Sequence, residues 1–555
     1  MSPENGPGTD WESAAALLRR RGYLGGEGAG SRRPGTGWRG AAWFVALAVL
    51  LALAVAVAGT VPASAASLAW VVVLLVPFLV PGLGLVTAVL ARAFEMWHRA
   101  GMEAGRASAA AGTGVALAAG AVWLWSTWEA PVGPWSLQRL AGAVLALAAA
   151  GGLARFAGHR LADRLLRRTS TVEVRVPRQA WALAATALVL MAGILLLPHR
   201  REHRRDGAPP LQVRPHHGRL AILGVDGLPE GDLRLVAADA GSPVARWGGA
   251  RLDARDAGET FPVAWVTVAT GVRPAVHGVV TVRQLRFPGG GPDVLAAPAL
   301  RRLLLLWRWS GAVVERAVPA ARRRVPTVWE MASDAGMEVL VAGWWGSFPP
   351  RRVTGLAASV RWLLTGAADP GTVFPPEAAA RLPEVPGREP LAMDRRAAVL
   401  ASTVRPGGGP DLVMAYLPGW WLARRSVSGG PLAVARALRP HVELLLRTAE
   451  ALEAAGRTVW IVGLDGDGGG WVLASTASPG SPPVRAVALL PTWLDALGLP
   501  VPPGSRPPRR DLSGVADGAP PAVADYGPPP PLAGDTPRGE GAAQLELIET
   551  LGYLR

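Results

Sequence analysis

The sequence predicts an α-helical membrane region of about five spans followed by an α/β domain built on a mostly parallel sheet. Two observations predict it. Uncharged apolar runs long enough to cross a bilayer crowd residues 41–198, and from residue 218 onward β-rich runs alternate with helical ones.

Hydrophobic residues make up 50% of the 555, and mean hydropathy is +0.24. Both values are high for a chain with no membrane portion. The net charge of +15 is carried by arginine alone, since no lysine occurs. Together with abundant Ala, Gly and Pro, that looks like a compositional bias of the genome. No basic patch interleaved with aromatics accompanies the charge, so nucleic acid is not expected as a partner. Cysteine is absent, which excludes disulfides and thiolate metal sites.

Residues 1–40 are polar, rich in Gly and Arg, and expected to be disordered. The first apolar run is AAWFVALAVLLALAVAVAGTV at 41–61, which also reads as a cleavable signal peptide ending at Ala63-Ser64-Ala65. Further runs at 67–91, 107–127, 137–157 and 179–197 favour a span instead. Pro77, Pro81 and Gly82 interrupt the second, as membrane helices tolerate when neighbours re-satisfy the backbone. Arginines cluster before the first run, in Arg92, Arg99 and Arg106, and in the 155–178 loop, whereas 62–66 is uncharged and 128–136 holds only Glu129. Arginine-rich loops stay inside. The expectation is therefore a multi-pass cell-membrane protein with its N-terminus cytoplasmic and residues 198–555 extracytoplasmic. Arg200, Arg201, Arg204 and Arg205 run against the rule, and a four-span alternative would put the domain inside.

From 218 the strands expected are LAILGVDG, MEVLVAGW, DLVMAYLP and TVWIVGLD, with helices over 326–335, 391–403 and 431–455 between them. RRLLLLWRW at 301–309 reads as a surface helix near the membrane or as cap packing. After 502 the chain is a Pro/Gly-rich tail to 555, ending in a short helix.

The α/β domain, residues 210–502, carries its chemistry on two stretches. LAILGVDG at 220–227 ends a buried strand in Asp226-Gly227, and TFPVAWVTVATGVRPAVHGVV at 260–280 reads as a loop leading into a helix and a tight turn. Strand tips are where α/β folds collect ligands. These stretches resemble the type I phosphodiesterase/nucleotide pyrophosphatase branch of the alkaline phosphatase superfamily. PTVWEMASDAGMEVLVAGWWGSFPP at 326–350, VFPPE at 373–377, DLVMAYLPG at 411–419, TVWIVGLDG at 458–466 and LLPTWLDALGLPVP at 489–502 follow in that family's order.

The resemblance implies an alkaline-phosphatase-like fold and two divalent metals flanking a Thr or Ser nucleophile. Two such cations neutralise the attacking and leaving oxygens of a phosphoryl displacement. Asp226 matches the first ligand. The nucleophile register falls on Phe261; Thr260, one residue earlier, is the alternative. The ligand pair expected after YLPG reads Trp421 and Arg425, and a guanidinium repels a metal. The last motif keeps Asp465 and replaces its His with Gly466. Beyond residue 210 the only histidines are His216, His217, His277 and His441, none at a ligand position.

A two-zinc centre is therefore not expected. If a cofactor binds, Asp226 and Asp465, with Asp467 near, suit a single divalent Mg, Mn or Ca; equally, these aspartates survive as turn and cap residues. Three functions stay open: a membrane-anchored pseudoenzyme acting as a binding or scaffold module, a metal-dependent phosphoester hydrolase using Thr260, and, by architecture alone, a lipid-headgroup phosphotransferase. The expected partners are the lipid bilayer and a phosphoester or lipid-headgroup ligand.

Overall fold

The computed structural model describes residues 36–61, 65–99, 104–127, several positions within 142–151, and, with short interruptions, 218–514 together with a few positions around Tyr526. The polar segment before 36, most of the expected fourth span, the fifth at 179–197, the arginines at 200–205 and most of the tail lie outside the described residues. The chain forms two compact units: one comprises residues up to His199 with the excursion Gln284–Val314, the other Arg200–Arg283 with Glu315–Arg555.

In the first unit, helices run over Thr36–Gly59, Ala65–Arg99 and Ala104–Thr127. Among the described residues no helix is long and apolar enough to cross a membrane. Described side chains in these helices run unbroken only over 48–59, 68–82 and 113–125. Their shared core holds Leu51, Val55 and Leu75, and the excursion contributes Leu300 and Leu304 to it. Residues 298–305 are thus the helix expected in the 301–309 stretch, packed by its leucine face.

The second unit is the α/β domain. Its strands are β1 (Leu220–Asp226), β2 (Gly248–Asp253), β3 (Val339–Ala342), β4 (Gly355–Ala358), β5 (Val373–Phe374), β6 (Leu412–Leu417), β7 (Thr458–Leu464), β8 (Gly470–Ala474) and β9 (Val484–Arg485). They form one sheet in the order β9-β2-β8-β7-β1-β6-β3-β4-β5. The five central strands, β7 to β4, are all parallel, while β8 and β5 pair antiparallel. Both faces of β1, β6 and β3 are covered, so every residue in them is buried, and their sequences are continuous apolar runs rather than alternating ones. The expected strands and helices at these positions are present.

Two consequences position the site. Parallel pairing aligns Leu464 with Asp226, bringing the Asp226-Gly227 and Asp465-Gly466 dipeptides to adjacent strand tips. The 260–280 stretch folds as expected, into helix α1 (Phe261–Thr270) and a short turn at Pro274–His277.

Candidate functional site

A cavity of about 500 Å³ opens at these strand tips, lined by Thr260, Phe261, Trp421, Arg425, Asp465, Gly466 and neighbouring residues. Six of the seven positions singled out in the sequence therefore converge on one cavity. The seventh, Asp226, does not line it. Its carboxylate is fully buried, accepts a hydrogen bond from Trp265 Nε1 at 2.6 Å, and takes another from the Tyr416 hydroxyl. Burying a carboxylate costs several kcal/mol unless donors replace its water, roughly speaking. Here two neutral aromatic donors do so.

Those donors sit in an aromatic nest beneath the sheet end. Trp265 packs edge-on against Trp344 with centroids 4.9 Å apart and against Tyr416 at 5.8 Å. Trp344, Trp345 and Trp420 are buried packing residues. Trp421 alone of that set reaches the cavity.

Trp421 and Arg425 lie on helix α2 (Gly419–Ser426), which follows β6 directly. The Trp421 ring meets Phe261 edge-on at 5.1 Å, and the Arg425 guanidinium lies 5.4 Å from the Trp421 ring centre. The indole also presses on the backbone after Asp226. Gly227 has φ +63, and a Cβ built there would lie 2.5 Å from Trp421 Cε3. An aromatic plug thus stands against the turn that follows Asp226.

The remaining polar groups are arranged as follows. Thr260 is the N-cap of α1, yet its side chain makes no capping bond. Thr260 Oγ1 and Trp421 Nε1 are both buried with no hydrogen-bond partner among the described residues. A hydroxyl nucleophile is activated by a base within hydrogen-bond reach or by a metal, and among the described residues no base is paired with Thr260. Asp465 is pushed up by its own burial and by the neighbouring Asp467, with Arg251 opposing. Asp467 accepts from the Gly469 amide at 3.2 Å. Arg255, on the cavity wall, is tied to Asp253 at 3.0 Å.

These residues do not fit a divalent cation. The two candidate ligands are not brought to one cavity, and among the described residues no group of three or more His, Asp or Glu is placed to hold a metal. Of the two candidate ligands, Asp226 is a buried acceptor held by Trp265 and Tyr416, and Asp465 lines the cavity.

The two described histidines of the α/β domain serve the surrounding structure. Thr267 Oγ1 donates to the Ala257 carbonyl at 2.6 Å, so it accepts from His277 Nε2, 3.0 Å away, while His277 Nδ1 accepts from the Val279 amide at 3.2 Å. Burial, aided by the Arg323 charge, pushes this imidazole down to about 3 and keeps it neutral. His441 Nδ1 instead meets Asp394 Oδ2 at 2.6 Å, and Asp394 Oδ1 accepts from the Gly419 amide at 2.8 Å. Burial raises Asp394, opposed by His441. A Cβ at Gly419 would fall 2.4 Å from Asp394 Oδ2, so only glycine fits. This pair fixes the start of the helix carrying Trp421 and Arg425. Sequence reading missed it because Asp394 and His441 lie on separate helices 47 residues apart.

No family model and no curated protein matches the chain. Among solved structures it is similar to phosphonoacetate hydrolase from Sinorhizobium meliloti 1021 in complex with phosphonoformate: 17% identity, 46% of this chain, 59% of that chain, TM-score 0.32. The complex of that hydrolase with phosphonoacetate gives 16%, 46%, 59% and 0.32. For BT1596, a 2-O GAG sulfatase, the values are 14%, 54%, 75% and 0.33. The match spans less than two thirds of the hydrolase's length.

Proposed function

We propose that residues 210–502 form an alkaline-phosphatase-superfamily domain of the type I phosphodiesterase kind whose hydrolytic centre has become a binding pocket. Support comes from the ordered motifs, the parallel sheet and the two Asp-Gly strand tips. The single observation that carries the loss of hydrolysis is the Trp421 indole packed on Gly227 and Phe261 where the motifs place metal and nucleophile. The pocket wall carries Arg425 toward an anionic group and Asp465 and Asp467 toward a cationic one. That wall chemistry fits a small phosphoester of lipid-headgroup type.

The N-terminal region is read as the membrane anchor, with the N-terminus cytoplasmic and the domain extracytoplasmic. Its helices turn large apolar side chains outward: Leu85 is 67% exposed and Leu117 70%. Water disfavours such faces and lipid does not.

The test is metal stoichiometry on the full chain in detergent, loaded in turn with Zn²⁺, Mn²⁺, Mg²⁺ and Ca²⁺, alongside phosphodiester hydrolysis. No saturable binding and no turnover are expected. Two ions per chain, lost in Asp465→Ala, would overturn the reading. A second reading, a hydrolase using Thr260, is favoured by the unpartnered Thr260 Oγ1 on the cavity wall. It requires turnover that Thr260→Ala abolishes.

A further inference from the structure

We propose that the excursion Gln284–Val314 is a membrane-contacting element, through which the C-terminal half of the chain returns to the bilayer. The proposal rests on the membrane reading above and extends it to a segment with no span of its own.

The excursion is fastened to the N-terminal helices at three points. Leu295 and Ala296 pair antiparallel with Val61 and Thr60, in the turn between the first two helices. Trp307 Nε1 donates to the Leu74 carbonyl at 3.0 Å, and its ring meets Phe78 edge-on at 5.8 Å. Leu300 and Leu304 are buried in the helices' core. Leu74 lies three residues before Pro77 in that helix.

The first contact fixes a side. The turn following Thr60-Val61 is the uncharged loop expected outside the cytoplasm, and the C-terminal domain is expected on that same side. A strand from that domain's half of the chain can pair there only if the two assignments agree. The second contact extends the attachment along the second helix, since Leu74 lies nine residues beyond its start at Ala65.

The excursion's other face is exposed. Trp309 is 84% exposed and Leu306 54%, flanked by the exposed Arg302 and Arg308. Tryptophan and arginine beside apolar side chains are what the headgroup boundary accommodates: the indole sits among headgroups and the guanidinium meets lipid phosphate. The occupant we assign is therefore the outer leaflet of the bilayer.

The native chain has no cysteine, so a single introduced thiol can be labelled without ambiguity. The full chain carrying Trp309→Cys or Leu306→Cys, labelled with an environment-sensitive fluorophore, is reconstituted into brominated phosphatidylcholine vesicles. Quenching by the lipid is compared with quenching by aqueous iodide. Leu117→Cys on the third helix and Arg388→Cys on an exposed loop of the α/β domain are the references. Lipid quenching at 309 and 306 several-fold above that at 388, with shielding from iodide, is the expected result. If 117 is quenched by lipid while 309 and 306 behave like 388, the excursion faces water and the proposal falls alone. If 117 is not quenched either, the membrane reading falls and takes the proposal with it.

Discussion

Two strand tips of the same sequence, Asp226-Gly227 and Asp465-Gly466, lie side by side on β1 and β7 and have opposite fates. The first carboxylate is buried under Trp265 and Tyr416, and its glycine is pressed by Trp421. The second faces the cavity, and a Cβ on its glycine would stand 3.9 Å from both Phe261 and Trp421. The difference comes from the flanking strands. β1 is central, with β6 on one side delivering Tyr416, whereas β7 has the antiparallel β8 hairpin beside it and ends in an open loop. A dipeptide that marks a ligand site in sequence is thus a structural lock at one tip and a cavity wall at the other.

The strongest way to break this contrast is to unlock Asp226. Tyr416→Phe leaves a buried carboxylate oxygen short of a donor, and we expect about 2 kcal/mol of destabilisation, read as a lower urea midpoint at unchanged slope. An unchanged midpoint would mean that Asp226 does not need that bond. Gly227→Ala comes next. A left-handed backbone costs a non-glycine residue about 1–2 kcal/mol, and the Trp421 indole must also move. In a Trp421→Ala background only the backbone part remains, so the double mutant should be destabilised by less than the two single mutants added together.

Smaller effects are expected at the second tip. Asp465 titrates higher in the folded chain than unfolded, so the folded state binds more protons through the carboxylate range and loses stability as pH rises through it. Asp465→Asn should remove that loss, a gain above the carboxylate range of under about 1 kcal/mol for a partly exposed group. Thermal midpoints at acidic and neutral pH would show it. A variant that loses stability at neutral pH would place Asp465 in an ion pair instead. Gly466→Ala should shift the urea midpoint by no more than about 0.5 kcal/mol. A cost equal to that at Gly227 would erase the contrast between the tips.

Much of the α/β domain was legible in the sequence. The strands ending in Asp226, Leu417 and Leu464 announce themselves as apolar runs closed by turn residues, and the helices between them follow from alternation. The cavity was legible in part: Thr260, Phe261, Trp421, Arg425, Asp465 and Gly466 were each found by their place in a motif. What the motifs could not convey was which of them touch. Asp226 and Asp465 stand at neighbouring strand tips, but Tyr416 and Trp265 cover the first while the second lines the cavity. The Asp394–His441 pair that sets Gly419 left no local pattern, because its two residues lie on separate helices 47 residues apart.

The sequence by itself determined the order and type of the elements, since hydrophobic period and turn chemistry are local properties of a chain. It also determined the residue types at the strand tips, and so excluded imidazole ligands there. Tertiary structure alone decided that Asp226 is locked, that Trp421 fills the space above Gly227, and that residues 284–314 leave the α/β domain to pack with the N-terminal helices. Each of these depends on which side chains meet across tens or hundreds of residues. Such meetings are set by strand order and packing volume, which no spacing along the chain records.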